Sequence, residues 1–149
     1  MIEGLTPKMQ VCVRDFLELL DEMKFNYAIL EGLRTAARQA SLYAQGREPI
    51  ERINSLRILS GYRQISEAEA KRIVTWTKHS KHQDGLAIDI APVLPDGRIP
   101  WVVRDQATAD LWLTLGKTGE SCGLTWGGRW PEIDKWGLGK DLPHFEKAV

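Results

Sequence analysis

The residues with the clearest chemical potential are two of the three histidines, one strand aspartate and the acid close to the C-terminal histidine. Ser80-Lys81-His82-Gln83-Asp84-Gly85-Leu86-Ala87-Ile88-Asp89 sets a histidine before a glycine turn and an aspartate on the strand that follows. A turn and a strand can aim both side chains at one point. Imidazole and carboxylate are ligand types that suit zinc, and a catalytic zinc takes three protein ligands with a fourth position left for water. His144 is the third candidate ligand. Taken singly, each histidine reads as a surface or hydrogen-bonded residue; the order around His82 is what lifts it above that. His79 lacks the glycine-and-strand frame and reads as an ordinary surface histidine. In Asp141-Leu142-Pro143-His144-Phe145-Glu146, Asp141 precedes His144 by three residues. An acid there can take a proton from water at a metal without binding the metal, although spacing alone favours a surface turn before proline. Arg34 divides evenly between a fixed charge for an oxyanion and a structural salt bridge.

These side chains need elements to position them. Thr6-Pro7 is a helix start, with a capping hydroxyl and a proline where no amide hydrogen is missed. Met9, Val13, Phe16, Leu20 and Met23 recur at spacings of three and four, which predicts a helix to about Met23 with one apolar stripe. Residues 27–31 read as a strand, and Gly32 to Thr35 turn into a helix ending near Gly46, so Arg34 falls at a strand-to-helix corner. Residues 47–62 are basic and loosely periodic, a helical insertion or a flap. Ser66 and Glu69 form a capping-box pattern for a helix over 67–73, followed by a strand at Ile73-Val74-Thr75-Trp76. Leu86 to Ala91 alternate, placing Asp89 on a face shared with Ala87 and Ala91, where it has room. Pro95-Asp96-Gly97 marks a turn and residues 105–117 a further helix; Trp126, Trp130 and Trp136 either line a cleft or pack the glycine-rich C-terminal loops. The mixture is α+β.

At 149 residues, with 43% hydrophobic and 27% charged residues, the chain fits one folded domain spanning 1–149. Twenty basic residues balance twenty acidic ones, so no nucleic acid partner is expected. The balance is local, however: residues 34–81 carry ten basic and four acidic side chains, an excess of six. No stretch approaches the ~20 apolar residues of a membrane span, and MIEGLTPKMQ lacks a signal-peptide layout. Synthesis in a cytoplasm without self-export by that route is the expectation. Cys12 and Cys122, far apart, imply neither disulfide nor metal; Cys12 reads as a small buried thiol in the first helix.

The motifs resemble a family of zinc peptidases that includes D-alanyl-D-alanine carboxypeptidases, vancomycin-resistance D,D-dipeptidases and bacteriophage L-alanyl-D-glutamate endolysins. SKHQDGLAID fits SxHxxGxAxD and DLPHFE fits the DxPHF ending. Glu31-Gly32-Leu33-Arg34-Thr35 and Leu42-Tyr43-Ala44-Gln45-Gly46-Arg47 resemble EGxRT and LYxQGR, and Gly123 to Gly128 resemble GLxWGG, so the likeness covers most of 27–146. The resemblance implies a small antiparallel sheet with helices on one side and a hedgehog-type zinc site. It also implies Zn2+ held by His82, Asp89 and His144, Asp141 as general base, Arg34 stabilising the transition state and Ser80 holding substrate. Two departures bear on substrate selection: residues 48–72 are longer and more helical than the family's link, and Arg129 stands in WGGRW where relatives often carry an acid. The implied activity is cleavage of the peptidoglycan stem peptide between L-alanine and D-glutamate by a monomeric single-domain endolysin that reaches the wall after release. A D-Ala-D-Ala carboxypeptidase is the enzyme alternative. A zinc-stabilised binding module, as in hedgehog signalling domains, or a virion component is the alternative of another class.

Overall fold

A computed structural model describes residues 2–147, which divide into two compact units, residues 2–33 with 84–147, and residues 34–83.

In the first unit, helix α1 spans Pro7–Glu22, and the Thr6 hydroxyl accepts the Met9 amide as its N-cap. Met9, Val13, Phe16 and Leu20 are fully buried, while Met23, past the helix end, is 47% exposed and lies outside the stripe assigned to it. Strands β1 (Tyr27–Glu31), β2 (Ala87–Pro92), β3 (Thr125–Trp126) and β4 (His144–Glu146) form one antiparallel sheet in the order β1-β2-β4-β3. Between β2 and β3, helix α5 (Gln106–Ser121) starts on an Asp105 cap and runs four residues past the predicted end at 117. The extension follows from its glycines. A Cβ on Gly119 would stand 2.4 Å from the Phe145 ring and 3.0 Å from Phe16, and one on Gly116 would stand 2.3 Å from the Trp126 ring. Bare helix backbone lets these rings press on α5, and the packing outweighs glycine's helix cost of about 1 kcal/mol. The helices α1 and α5 thus pack on the sheet around Phe16, Ile88, Ile90, Trp112, Trp126 and Phe145, with Phe16 and Phe145 edge to face at 4.8 Å. Cys12 and Cys122 are both half-buried free thiols.

In the second unit, α2 (Ala36–Ala44), α3 (Ile50–Leu59) and α4 (Glu67–Ala70) surround a small core of Ala44, Ile53 and Ala70. Gly46 takes a φ of +85°, and a Cβ there would stand 2.8 Å from the Ile73 amide nitrogen, so glycine is needed for the turn out of α2. Ser66 caps α4 as its sequence pattern predicts, but α4 stops at Ala70. The strand predicted over residues 73–76 does not form: the segment is irregular, with Ile73, Val74 and Trp76 exposed. Side-chain β preference describes a pleated surface packed against neighbours, and this segment pairs with no strand among the described residues.

Candidate metal centre

Strand pairing places two of the candidate ligands. Asp89 on β2 lies directly opposite His144 on β4, and opposite partners share one face of a sheet. The next pair on that face is Ala87 with Glu146, where the alanine methyl leaves room for the glutamate. His82 is set by its own turn. The Ser80 hydroxyl accepts the His82 amide at 3.2 Å, and the Ser80 amide donates to Gln83 Oε1 at 2.9 Å. Gly85, at φ +70°, completes the reversal; a Cβ there would meet the Gly4 carbonyl oxygen at 2.7 Å. The ligand atoms of His82, Asp89 and His144 all lie within 4.8 Å of one another, and both imidazoles are buried. Two imidazoles and a carboxylate are a donor set that suits zinc, which bonds such nitrogens and oxygens at about 2.0–2.2 Å and tolerates a three-ligand protein shell. His79 is exposed and outside this cluster.

His144 Nδ1 faces Asp89 Oδ1 at 3.5 Å, and its Nε2 lies 2.9 Å from Glu146 Oε1. Burial, the largest influence on its pKa, pushes it down; hydrogen bonds to Asp89 and Glu146 and the nearby Asp141 charge outweigh that and hold it above its ordinary value. The half-buried Trp130 lies beside the ring, centroids 5.1 Å apart.

Asp141 is placed by the glycine-rich segment before it. Its amide donates to the Gly127 carbonyl at 3.2 Å, and its own carbonyl accepts the His144 amide at 3.3 Å. A Cβ on Gly127 would stand 2.3 Å from the Asp141 carbonyl oxygen. Trp126 is fully buried core and donates its indole N–H to the Leu142 carbonyl at 2.7 Å, anchoring the same loop. Arg129 pairs with Glu120 through two contacts, at 2.9 and 3.1 Å, which accounts for it as a fastener between α5 and the loop after β3.

Arg34 donates its backbone amide to the His82 carbonyl at 2.8 Å and its guanidinium to Gln39 Oε1 at 2.7 Å. Gln39 is fully buried and its amide donates to the Thr77 carbonyl at 2.7 Å, which fixes the orientation in which it holds Arg34. Sequence reasoning gave no role to Gln39 or Glu146. The alternation His144-Phe145-Glu146 carried a signal for Glu146, since residues two apart on a strand share a face.

The antiparallel sheet carries an Asp–His pair, and a second histidine joins it in a cluster able to hold a metal. Residues 74–147 match the family described as D-alanyl-D-alanine carboxypeptidase. The peptidoglycan L-alanyl-D-glutamate endopeptidase CwlK of Bacillus subtilis is 31% identical over 123 residues, covering 79% of this chain and 58% of CwlK. The chain therefore spans somewhat under two thirds of that relative. The L-Ala D-Glu endopeptidase ChiX of Serratia marcescens shares the fold at a TM-score of 0.56 and 22% identity, over 99% of this chain and 83% of that one. The vancomycin-resistance D,D-pentapeptidase VanY, solved with Zn(II), shares it at 0.56 and 16% identity, over 97% and 73%. No helix of the described residues is long and apolar enough to cross a membrane.

Proposed function

We propose that the chain is a zinc-dependent peptidoglycan peptidase that cleaves the stem peptide between L-alanine and D-glutamate. The observation that carries this reading is the meeting of the His82, Asp89 and His144 ligand atoms within 4.8 Å. A bound zinc supplies Lewis acidity and a water of lowered pKa. Asp141 takes the proton of the attacking water and delivers it to the leaving amine. Arg34, steadied by Gln39, offsets the charge that develops on the carbonyl oxygen, a contribution of about 10²–10³ in rate where such a donor is removed. Ser80 contacts substrate as well as accepting the His82 amide.

The choice of bond is supported by the names carried by CwlK and ChiX, both L-alanyl-D-glutamate endopeptidases. The resemblance to a family that includes bacteriophage L-alanyl-D-glutamate endolysins supports a phage endolysin, a monomer made in the host cytoplasm that acts on the wall after release. The family description over residues 74–147 favours a second reading, a D-Ala-D-Ala carboxypeptidase. Mass spectrometry of digested muropeptides separates the two: the first leaves muramyl-L-alanine and frees the rest of the stem, while the second removes one terminal alanine. Intact muropeptides after digestion with zinc-loaded protein would contradict both.

A further inference from the structure

The local excess of positive charge coincides with one compact unit: residues 34–83 contain ten basic and four acidic side chains. Part of this charge is organised on aromatic rings. The Arg47 guanidinium stands 4.0 Å from the Tyr43 ring centroid and 5.4 Å from that of Trp76, while its N–H groups donate to the Tyr43 and Thr75 carbonyls at 2.7 and 2.9 Å. Lys78 places its ammonium 5.5 Å from the Tyr43 ring. Arg47 thereby ties the end of α2 to residues 73–76 and sits over both the Trp76 and Tyr43 rings, with Lys78 over Tyr43 as well. Trp76 itself is 74% exposed, in a stretch where Ile73 and Val74 are exposed too.

Neither packing nor ion pairing accounts for an indole left in water beside the Arg47 cation. An apolar ring face flanked by fixed positive charge suits a partner that combines apolar C–H faces with anionic groups. Peptidoglycan has that chemistry: amino-sugar rings present C–H faces, and the stem peptides carry carboxylates. We infer that Tyr43, Arg47, Trp76 and Lys78 form a docking surface for the peptidoglycan polymer, distinct in its residues from those assigned to peptide hydrolysis. A sugar ring stacks on Trp76 while stem carboxylates meet Arg47 and Lys78. Because Arg47 is already fixed by two carbonyls, little side-chain freedom is lost on binding. The occupant rests on the peptidase reading above; the surface itself does not.

The test is co-sedimentation of the full chain on ice with sacculi stripped of protein and teichoic acid, alongside hydrolysis of a soluble disaccharide-peptide. Trp76→Ala and Lys78→Glu are compared with Lys8→Glu, the same charge change on an exposed residue of α1. The expected result is half-saturation raised about fivefold or more by Trp76→Ala and Lys78→Glu, the scale of one cation–π or stacking contact, with Lys8→Glu and all soluble turnover unchanged. Binding should also weaken with added salt. Binding that is unchanged in both variants, that requires teichoic acid, or that falls in step with soluble turnover overturns the inference. If the soluble peptide is uncut by every protein while the binding difference persists, the peptidase reading fails and the docking surface stands.

Discussion

His144 and Glu146, two residues apart on β4, share a contact of 2.9 Å between Nε2 and Oε1. A carboxylate accepts hydrogen bonds, so Nε2 carries the hydrogen, and Nδ1, on the Asp89 side of the ring, is the nitrogen that would bind a metal once its own proton is lost. Outer carboxylates of this kind orient a ligating imidazole and raise its basicity. Glu146→Ala should weaken zinc binding about 10–100-fold in a chelator competition while the fold is retained. Glu146→Gln, which can still accept through its amide oxygen, should recover part of the loss. Equal zinc affinity in all three proteins would remove Glu146 from the centre.

The raised pKa of His144 gives opposite pH trends with and without metal. In metal-free protein the folded-state value lies above the unfolded one. Its stabilising contribution is therefore complete below the ordinary histidine pKa of about 6.5 and is lost as pH climbs through the folded value. Thermal melts of metal-free protein should fall with rising pH across that window, and the trend should flatten in His144→Gln. Zinc affinity should move the other way, weakening as the pH drops and protons compete for the imidazole. A pH trend identical in His144→Gln would contradict the assignment.

Asp141 and the metal ligands should separate experimentally. Asp141→Asn is expected to keep zinc at the wild-type ratio while hydrolysis falls at least ~100-fold, the lower end of general-base contributions. Full activity in this variant would place the base elsewhere.

Gly127 backs directly onto the Asp141 carbonyl, 2.3 Å from where a Cβ would stand. Gly127→Ala must push the loop that carries Asp141 and His144, at a cost of about 1–3 kcal/mol for an overpacked site. A lowered melting temperature together with weakened zinc binding is expected. An alanine tolerated without change in either measurement would show that the loop is not held from this side.

The site's main lines were legible where local chemistry and pattern agree. Thr6 and Ser66 cap helices because their hydroxyls reach the amide three residues on, a purely local matter. The alternation through Asp89 located a strand face with small neighbours, and the pairing with His144 uses that face. What stayed hidden depends on partners distant in the chain. Nothing local distinguishes Ile73-Val74-Thr75-Trp76 from a true strand, since the difference is that no strand among the described residues lies beside it. The length of α5 turns on Phe145 and Trp126 pressing against Gly119 and Gly116. Gln39 looked like any polar helix residue until the fold brought it between Arg34 and the Thr77 carbonyl. The pairing of Arg129 with Glu120 was hidden for the same reason, because Glu120 is nine residues away.

X-ray absorption at the zinc edge of the loaded protein tests the centre most directly. The expected first shell is nitrogen and oxygen at about 2.0–2.2 Å with two imidazole signatures, reduced to one in His82→Ala. Sulfur scattering at about 2.3 Å, or a shell unaltered by His82→Ala, would contradict a centre built from His82, Asp89 and His144.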